Sequence, residues 1–217
     1  MIALVLLALF LARPVDASAT DGCIVLEDFA RSPEGSFPEG WKPRKEAGRA
    51  AYTVRTEGPL RYLRASARNL GIQAALERPW DLTEYPVLQW KWRPRAFPEG
   101  ADERPGGKND SAVGVYAVFP YSSFAVKSLK YVWSEKVPKG TELEASRGLT
   151  KMLVLESGPP ADRDRWVEER IDVAEDYTRR FHDPVLPRPL GIAVLTDSDD
   201  TRSEAEGDYA DFEACRK

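Results

Sequence analysis

"YPVLQWKWRP", residues 85–94, carries the clearest pattern in the chain. Leu88, Trp90 and Trp92 fall on one side of a two-residue repeat, and Val87, Gln89, Lys91 and Arg93 fall on the other. Successive residues of a strand point to opposite faces, so this alternation predicts a half-buried β-strand with its tryptophans turned into a core. Working outward, the next apolar run, "SAVGVYAVF" (111–119), is almost uniformly apolar and predicts a central strand. Further strand candidates lie at 23–29, 50–56, 60–67, 72–78, 129–134, 150–157, 165–173, 190–196 and 208–214. Turn signals such as Gly58-Pro59 and Asn69-Leu70-Gly71 separate several of them. One segment reads as helix: in "VAEDYTRRF" Val173, Tyr177 and Phe181 share a face, and Pro184 follows as a stop. His182, the one histidine, reads as a surface or capping residue after it.

Roughly ten short strands with a single short helix predict an all-β fold, a single jelly-roll-like β-sandwich. The stretch 93–110, with its prolines and glycines, reads as a long loop.

The N-terminus places an unbroken apolar run over Ile2 to Ala12, followed by Ala17-Ser18-Ala19. The run is too short for a bilayer span, which needs about 20 residues, and it matches the core of a secretory signal peptide. The expected organisation is therefore a signal peptide over 1–19 and one β-sandwich domain over 20–217, periplasmic or secreted. No later run approaches membrane length. The net charge of −4, from 31 basic and 35 acidic residues, offers no basic surface for a nucleic-acid partner. The composition specifies no oligomeric state. Export places the two cysteines, Cys23 and Cys215, in an oxidising compartment, and they are expected to pair. Such a bridge requires the first and last strands to be neighbours.

Nucleophilic triads, phosphate loops and zinc spacings are absent from the sequence. Two acidic loops stand out instead. One holds Asp102, Glu103, Asn109 and Asp110 before the central strand; the other, "TDSDDT" (196–201), holds Asp197, Asp199 and Asp200 after "LGIAVL". The ordinary reading of such a loop is a solvated turn whose aspartates bond their own backbone. The alternative is a hard cation such as Ca2+, which takes 6–8 oxygens, with Asp197, Asp199 and Asp200 as ligands. The spacing does not fit an EF-hand, since Arg202 stands where the loop needs glycine. A third use is a general acid and base drawn from Glu103, Asp110 and Asp197. Of the six tryptophans, Trp41 in "PEGWKP" reads as a loop residue and a candidate exposed platform for a sugar ring. Trp92 sits near a loop and is a second candidate, against the core reading that its alternation favours. Asp208 in "GDYADF" is expected to pin its strand by bonding across to the first strand.

The ordered series "VLEDF…PEGW", "YPVLQWKWRP…GADE…KNDSAVGVYAVF", "YVWS", "ERIDVAEDYTRRF" and "IAVLTDSDDT…GDYADFEA" resembles the DUF 3047 family, from about Cys23 to Phe212. The resemblance implies an exported, jelly-roll-like β-sandwich, similar in outline to galactose-binding-like and carbohydrate-binding modules, with no catalytic residues to carry over. The chain departs from the family pattern at Gly114, where an arginine is common, and at Leu195, where a methionine is usual. The expected function is an exported, non-catalytic module that binds a glycan through Trp41, Trp92, Asp102, Glu103, Asp110, Asp197 and Asp199, with Ca2+ as the candidate ion. The alternatives are a carbohydrate-active enzyme using paired carboxylates and a cell-envelope protein-interaction module.

Overall fold

A computed structural model describes residues 22–104 and 108–217. The expected signal segment, 1–19, lies outside the described residues. The first strand, β1 (Cys23–Glu27), is followed by β2 (Trp41–Pro43), β3 (Tyr52–Glu57), β4 (Leu60–Arg68), β5 (Ala74–Glu77), β6 (Val87–Ala96) and β7 (Val113–Ser122). After β8 (Ala125–Ser134), β9 (Glu142–Ala145), β10 (Thr150–Ser157) and β11 (Val167–Asp172) comes the helix α1 (Val173–Phe181), and then β12 (Gly191–Leu195) and β13 (Glu204–Cys215).

The strands form two sheets packed face to face, a jelly-roll-like sandwich. One sheet runs β11-β6-β13-β4-β3, with β1 also paired to β13; the other runs β2-β5-β12-β7-β8-β10-β9. The uniformly apolar "VGVYAVF" is the central strand of the seven, as expected. It is apolar on both faces because Val113, Val115, Ala117 and Phe119 enter the sandwich core while Tyr116 and Val118 pack with Ala193 and Leu195 on the outer side. Leu88, Trp90 and Trp92 of β6 are all fully buried against that core, as the alternation requires. Trp90 and Trp92 meet edge to face at 5.3 Å between ring centroids.

Cys23 and Cys215 face each other in the β1–β13 ladder and form the disulfide. A bulge in β13 falls between Ala210 and Glu213, where Asp211 has φ 50°. The extra residue resets the alternation. Tyr209 therefore points into the core before the bulge, and Phe212 and Ala214 point in after it. The helix is capped by Asp172, whose side chain accepts from Glu175 N–H, and closed by His182 in the left-handed region.

Two strands were not anticipated. β2 and β9, of three and four residues, are the two edges of the seven-stranded sheet. Trp41 opens β2 and is not an exposed platform: it is 4 % exposed, stacks on Phe29 and donates through Nε1 to Glu27 Oε2 at 2.8 Å. Trp92 is likewise excluded, being fully buried with Nε1 on Glu169 Oε1 at 3.2 Å.

Candidate functional site

The inner faces of both sheets are filled by the core, so open surface lies on the outer faces. On the seven-stranded sheet this outer face is a groove of about 720 Å³. Its floor is the outward set of β12, β7, β8 and β10, namely Ala193 and Leu195, Tyr116 and Val118, Ser128 and Lys130, Thr150 and Met152. Lys42, Arg44 and Gln73 stand on one side. Phe124, in the turn between β7 and β8, and Val126, at the start of β8, stand on another, and Phe124 is 100 % exposed.

Lys130 is the unusual member of the floor. It is 3 % exposed, lies against the Tyr116 ring at 5.7 Å, and has no carboxylate oxygen within 4.0 Å among the described residues. Its Cε runs 3.4 Å from where a Cβ on Gly114 would stand, so the glycine leaves the room that the lysine stem occupies. Among the neighbouring polar groups, Ser128 and Thr150 share a hydroxyl hydrogen bond of 3.0 Å, and the Arg44 guanidinium donates to Gln73 Oε1 at 3.4 Å.

At one end of the groove the acidic loops meet. Asn109 and Asp197 line it. Three loops are tied together here. Asp197 N–H donates to Ser111 O at 3.0 Å and Ser198 N–H to Leu70 O at 3.1 Å. Thr201 N–H donates to Asp110 Oδ2 at 2.7 Å, and Asp200 N–H to Asp110 Oδ1 at 3.3 Å. The entry to the second loop is set from across the core. Tyr209 Oη of β13 donates to Leu195 O at 2.9 Å, accepts from Gly114 N–H at 3.1 Å and lies 3.0 Å from Thr196 Oγ1.

The result brings Asp110, Asp197 and Asp199 together, each with a carboxylate oxygen within 4.8 Å of the others. Burial pushes the Asp197 carboxyl up to about 8, with Asp199 beside it adding to the rise and Lys130 opposing it. Asp200, expected among the metal ligands, is not in this group: its Oδ2 accepts from Asn109 N–H at 3.1 Å. Glu103 also stands apart as a buried structural group, accepting from Ser111 Oγ at 3.0 Å and Ser134 Oγ at 2.5 Å. Asp102 is paired with Arg104, whose hydrogen bonds hold it down at about 2. The remaining members of the groove, above all Tyr116, Lys130 and Phe124, were not among the sequence candidates. A lysine in the middle of the apolar run "LKYVW" was the available signal.

Asp208 pins its strand, but to different neighbours than expected. It accepts from Arg64 on β4 and Arg93 on β6, the strands that flank β13, and not from β1.

Fold and site together define a two-sheet β-sandwich with an open groove on the outer face of one sheet and an acidic cluster at the groove's end. The chain belongs to the family described as protein of unknown function, DUF3047, whose model matches residues 39–213. No curated protein matches it. Among solved structures, it is similar to the family 30 carbohydrate-binding module of a cellulosomal cellulase of Clostridium thermocellum, at 11% identity over 77% of this chain and 83% of that one, with a TM-score of 0.42. It is similar to endoglucanase 3 of Trichoderma harzianum, family GH12, at 10% identity over 92% and 98%, TM-score 0.42. A third is the xyloglucanase domain of NopAA from Sinorhizobium fredii, in complex with cellobiose, at 9% identity over 82% and 96%, TM-score 0.36. At this identity and overlap none of the three assigns a ligand or a residue role here.

Proposed function

We propose that the protein is an exported module that binds carbohydrate, without cleaving it, in the groove on the seven-stranded sheet. The observation that carries this reading is the chemistry of the lining. A sugar offers apolar C–H faces and a rim of hydroxyls. The groove sets the exposed Phe124 ring and the Tyr116 floor beside hydroxyl, amide and ammonium groups from Ser128, Thr150, Gln73 and Lys130. Its volume is within the ~300–1,000 Å³ of small-ligand clefts. Binding is favoured over glycoside hydrolysis because hydrolysis uses two facing carboxylates. The one carboxylate among the described lining residues is Asp197, while Glu103 is already bonded to two serines. The disulfide accords with an oxidising compartment, and among the described residues no helix is long and apolar enough to cross a membrane.

The test is an oligosaccharide panel probed with the purified protein, followed by titration calorimetry on whichever sugars are retained. Phe124→Ala should weaken binding about tenfold or more, which corresponds to about 1.4 kcal/mol, with an unchanged melting temperature because the side chain is fully exposed. Reducing ends should not accumulate. Retention of no glycan, or equal affinity in Phe124→Ala, refutes the groove reading; release of reducing sugar would make the protein an enzyme.

A further inference from the structure

The acidic end of the groove holds groups that glycan binding does not account for. Asp110, Asp197 and Asp199 present three oxygens within 4.8 Å of one another. Two oxygens on opposite sides of one Ca2+, each at about 2.3–2.6 Å, stand about 5 Å apart, so all three fit a single coordination shell. Crowded carboxylates alone would be an unremarkable acidic turn. One further observation points to a ligand, and a second shows that the carboxylate positions are sterically fixed. First, Asp197 is only 9 % exposed, yet its Oδ1 has no hydrogen-bond partner among the described residues. A buried carboxylate oxygen without a partner is costly to maintain. The Oδ1 of Asn109, next in sequence to Asp110 and lining the same end of the groove as Asp197, is buried and unpartnered as well. Second, the Gly71 backbone packs so close to these oxygens that it leaves no room for a side chain. A Cβ on Gly71 would stand 2.3 Å from Asp197 Oδ1 and 2.7 Å from Asp199 Oδ1. Any side chain there would push the Asp197 and Asp199 carboxylates out of their places.

The donors are all oxygens, with no imidazole or thiolate among them, and that set selects a hard cation over zinc or copper. The other cluster among the described residues, Cys23, Glu213 and Cys215, offers no such site, because Cys23 and Cys215 are joined as a disulfide.

We propose that Asp110, Asp197 and Asp199, with Asn109 Oδ1 alongside, bind one divalent hard cation, calcium by donor set and spacing, at the end of the groove. The ion joins the loop before β7 to the loop after β12. Water and second carboxylate oxygens complete its shell. Asp197 turns toward the groove, so one open position of the ion faces whatever the groove holds. The site does not depend on the carbohydrate reading and stands or falls separately from it.

The experiment is calcium titration of the full, oxidised protein after chelator treatment, read by calorimetry and by thermal melting. One ion should bind per chain. At a calcium concentration of about 100 times Kd the melting temperature should rise by about 5–11 °C over the EDTA value. Asp199→Asn changes an exposed side chain, so it should melt as the wild type does in EDTA while its calcium affinity falls tenfold or more. Gly71→Ala, whose methyl would collide with the Asp197 and Asp199 carboxylates, should abolish the calcium response. Two results overturn the proposal. One is a wild-type protein with no heat of binding and the same melting curve in calcium and EDTA, which would leave the carboxylates sharing a proton. The other is undiminished calcium binding in both variants, which would place the ion elsewhere.

Discussion

Replacing Asp208 by asparagine should destabilise the protein by about 3 kcal/mol without touching the groove. Asp208 is fully buried on the outer side of the six-stranded sheet. It accepts from Arg64 Nε and Nη2 at 2.8 and 3.0 Å and from Arg93 Nε at 2.8 Å. Arg93 is 3 % exposed, with the Trp166 ring 4.2 Å from its guanidinium carbon, and its remaining donors go to Glu57 and Asp164 O. Asparagine keeps the volume but removes the charge and turns an NH2 group toward arginine donors. At least one of the three charge-assisted bonds is lost, each worth about 1.5–3 kcal/mol. Removing one partner of a buried pair costs about 3–5 kcal/mol. Arg64 is partly exposed and retains Glu206 at 3.4 Å, which moves the expectation to the lower end. For a domain of this size about 3 kcal/mol lowers the melting temperature by roughly 6–12 °C. The assay is urea unfolding at fixed pH, in which the midpoint should fall and the slope should hold. A loss below about 1 kcal/mol would refute the pinning role. Unchanged stability with lost ligand binding would make Asp208 a binding residue.

Two further outcomes follow from other parts of the sandwich. Burial, with Glu156 nearby, raises the Glu169 carboxyl from 4.5 to about 7. Its folded value lies above its unfolded one, so the stability it contributes is complete below pH 4.5 and is lost as the pH rises through 7. Glu169→Gln keeps an acceptor for Trp92 and removes that loss. Between pH 5 and pH 8 the wild type should fall relative to the variant by about 1–2 kcal/mol in denaturant melts, after discounting for partial exposure; parallel pH curves would contradict this. Cys23 and Cys215 are 192 residues apart in the chain, and closing such a loop is worth about 5 kcal/mol at most by chain entropy. The double serine variant, or the reduced protein, should melt well below the oxidised form, and equal melting would show that β1 needs no covalent tether.

The parts of this fold that sequence reveals are those with a period. Leu88, Trp90 and Trp92 alternate over a ten-residue strand, and their burial is complete. The cysteines correctly imply that the first and last strands pair. β2 and β9 are too short to show a period, and Trp41 among prolines and glycines resembled a loop until its indole met Glu27. The acidic loop was legible as acidic. Which of its carboxylates converge was not, because Asp199 and Asp200 are adjacent in a turn. A turn gives neighbours different directions, and here one faces Asp197 while the other binds Asn109 N–H. The groove was hidden for a related reason. Tyr116 and Lys130 sit in strands that carry apolar residues on both faces, and a continuous apolar run does not say which residues face the core.

The placement of the site follows from the sandwich itself. The Tyr209 hydroxyl reaches from the six-stranded sheet to Leu195, Thr196 and Gly114 of the other, so the point at which β12 becomes the acidic loop is fixed by core packing. The floor residues project from hydrogen-bonded central strands, where their backbone has little freedom left to lose. A ligand meeting such a surface need order only the flanking side chains, chiefly Phe124 at its exposed turn. Affinity then depends on complementarity with a preformed surface more than on induced closure. It follows that substitutions in the core near Tyr209 would displace the acidic loop before they unfold the chain, and that the ligand and cation binding proposed above would report such damage earlier than melting does.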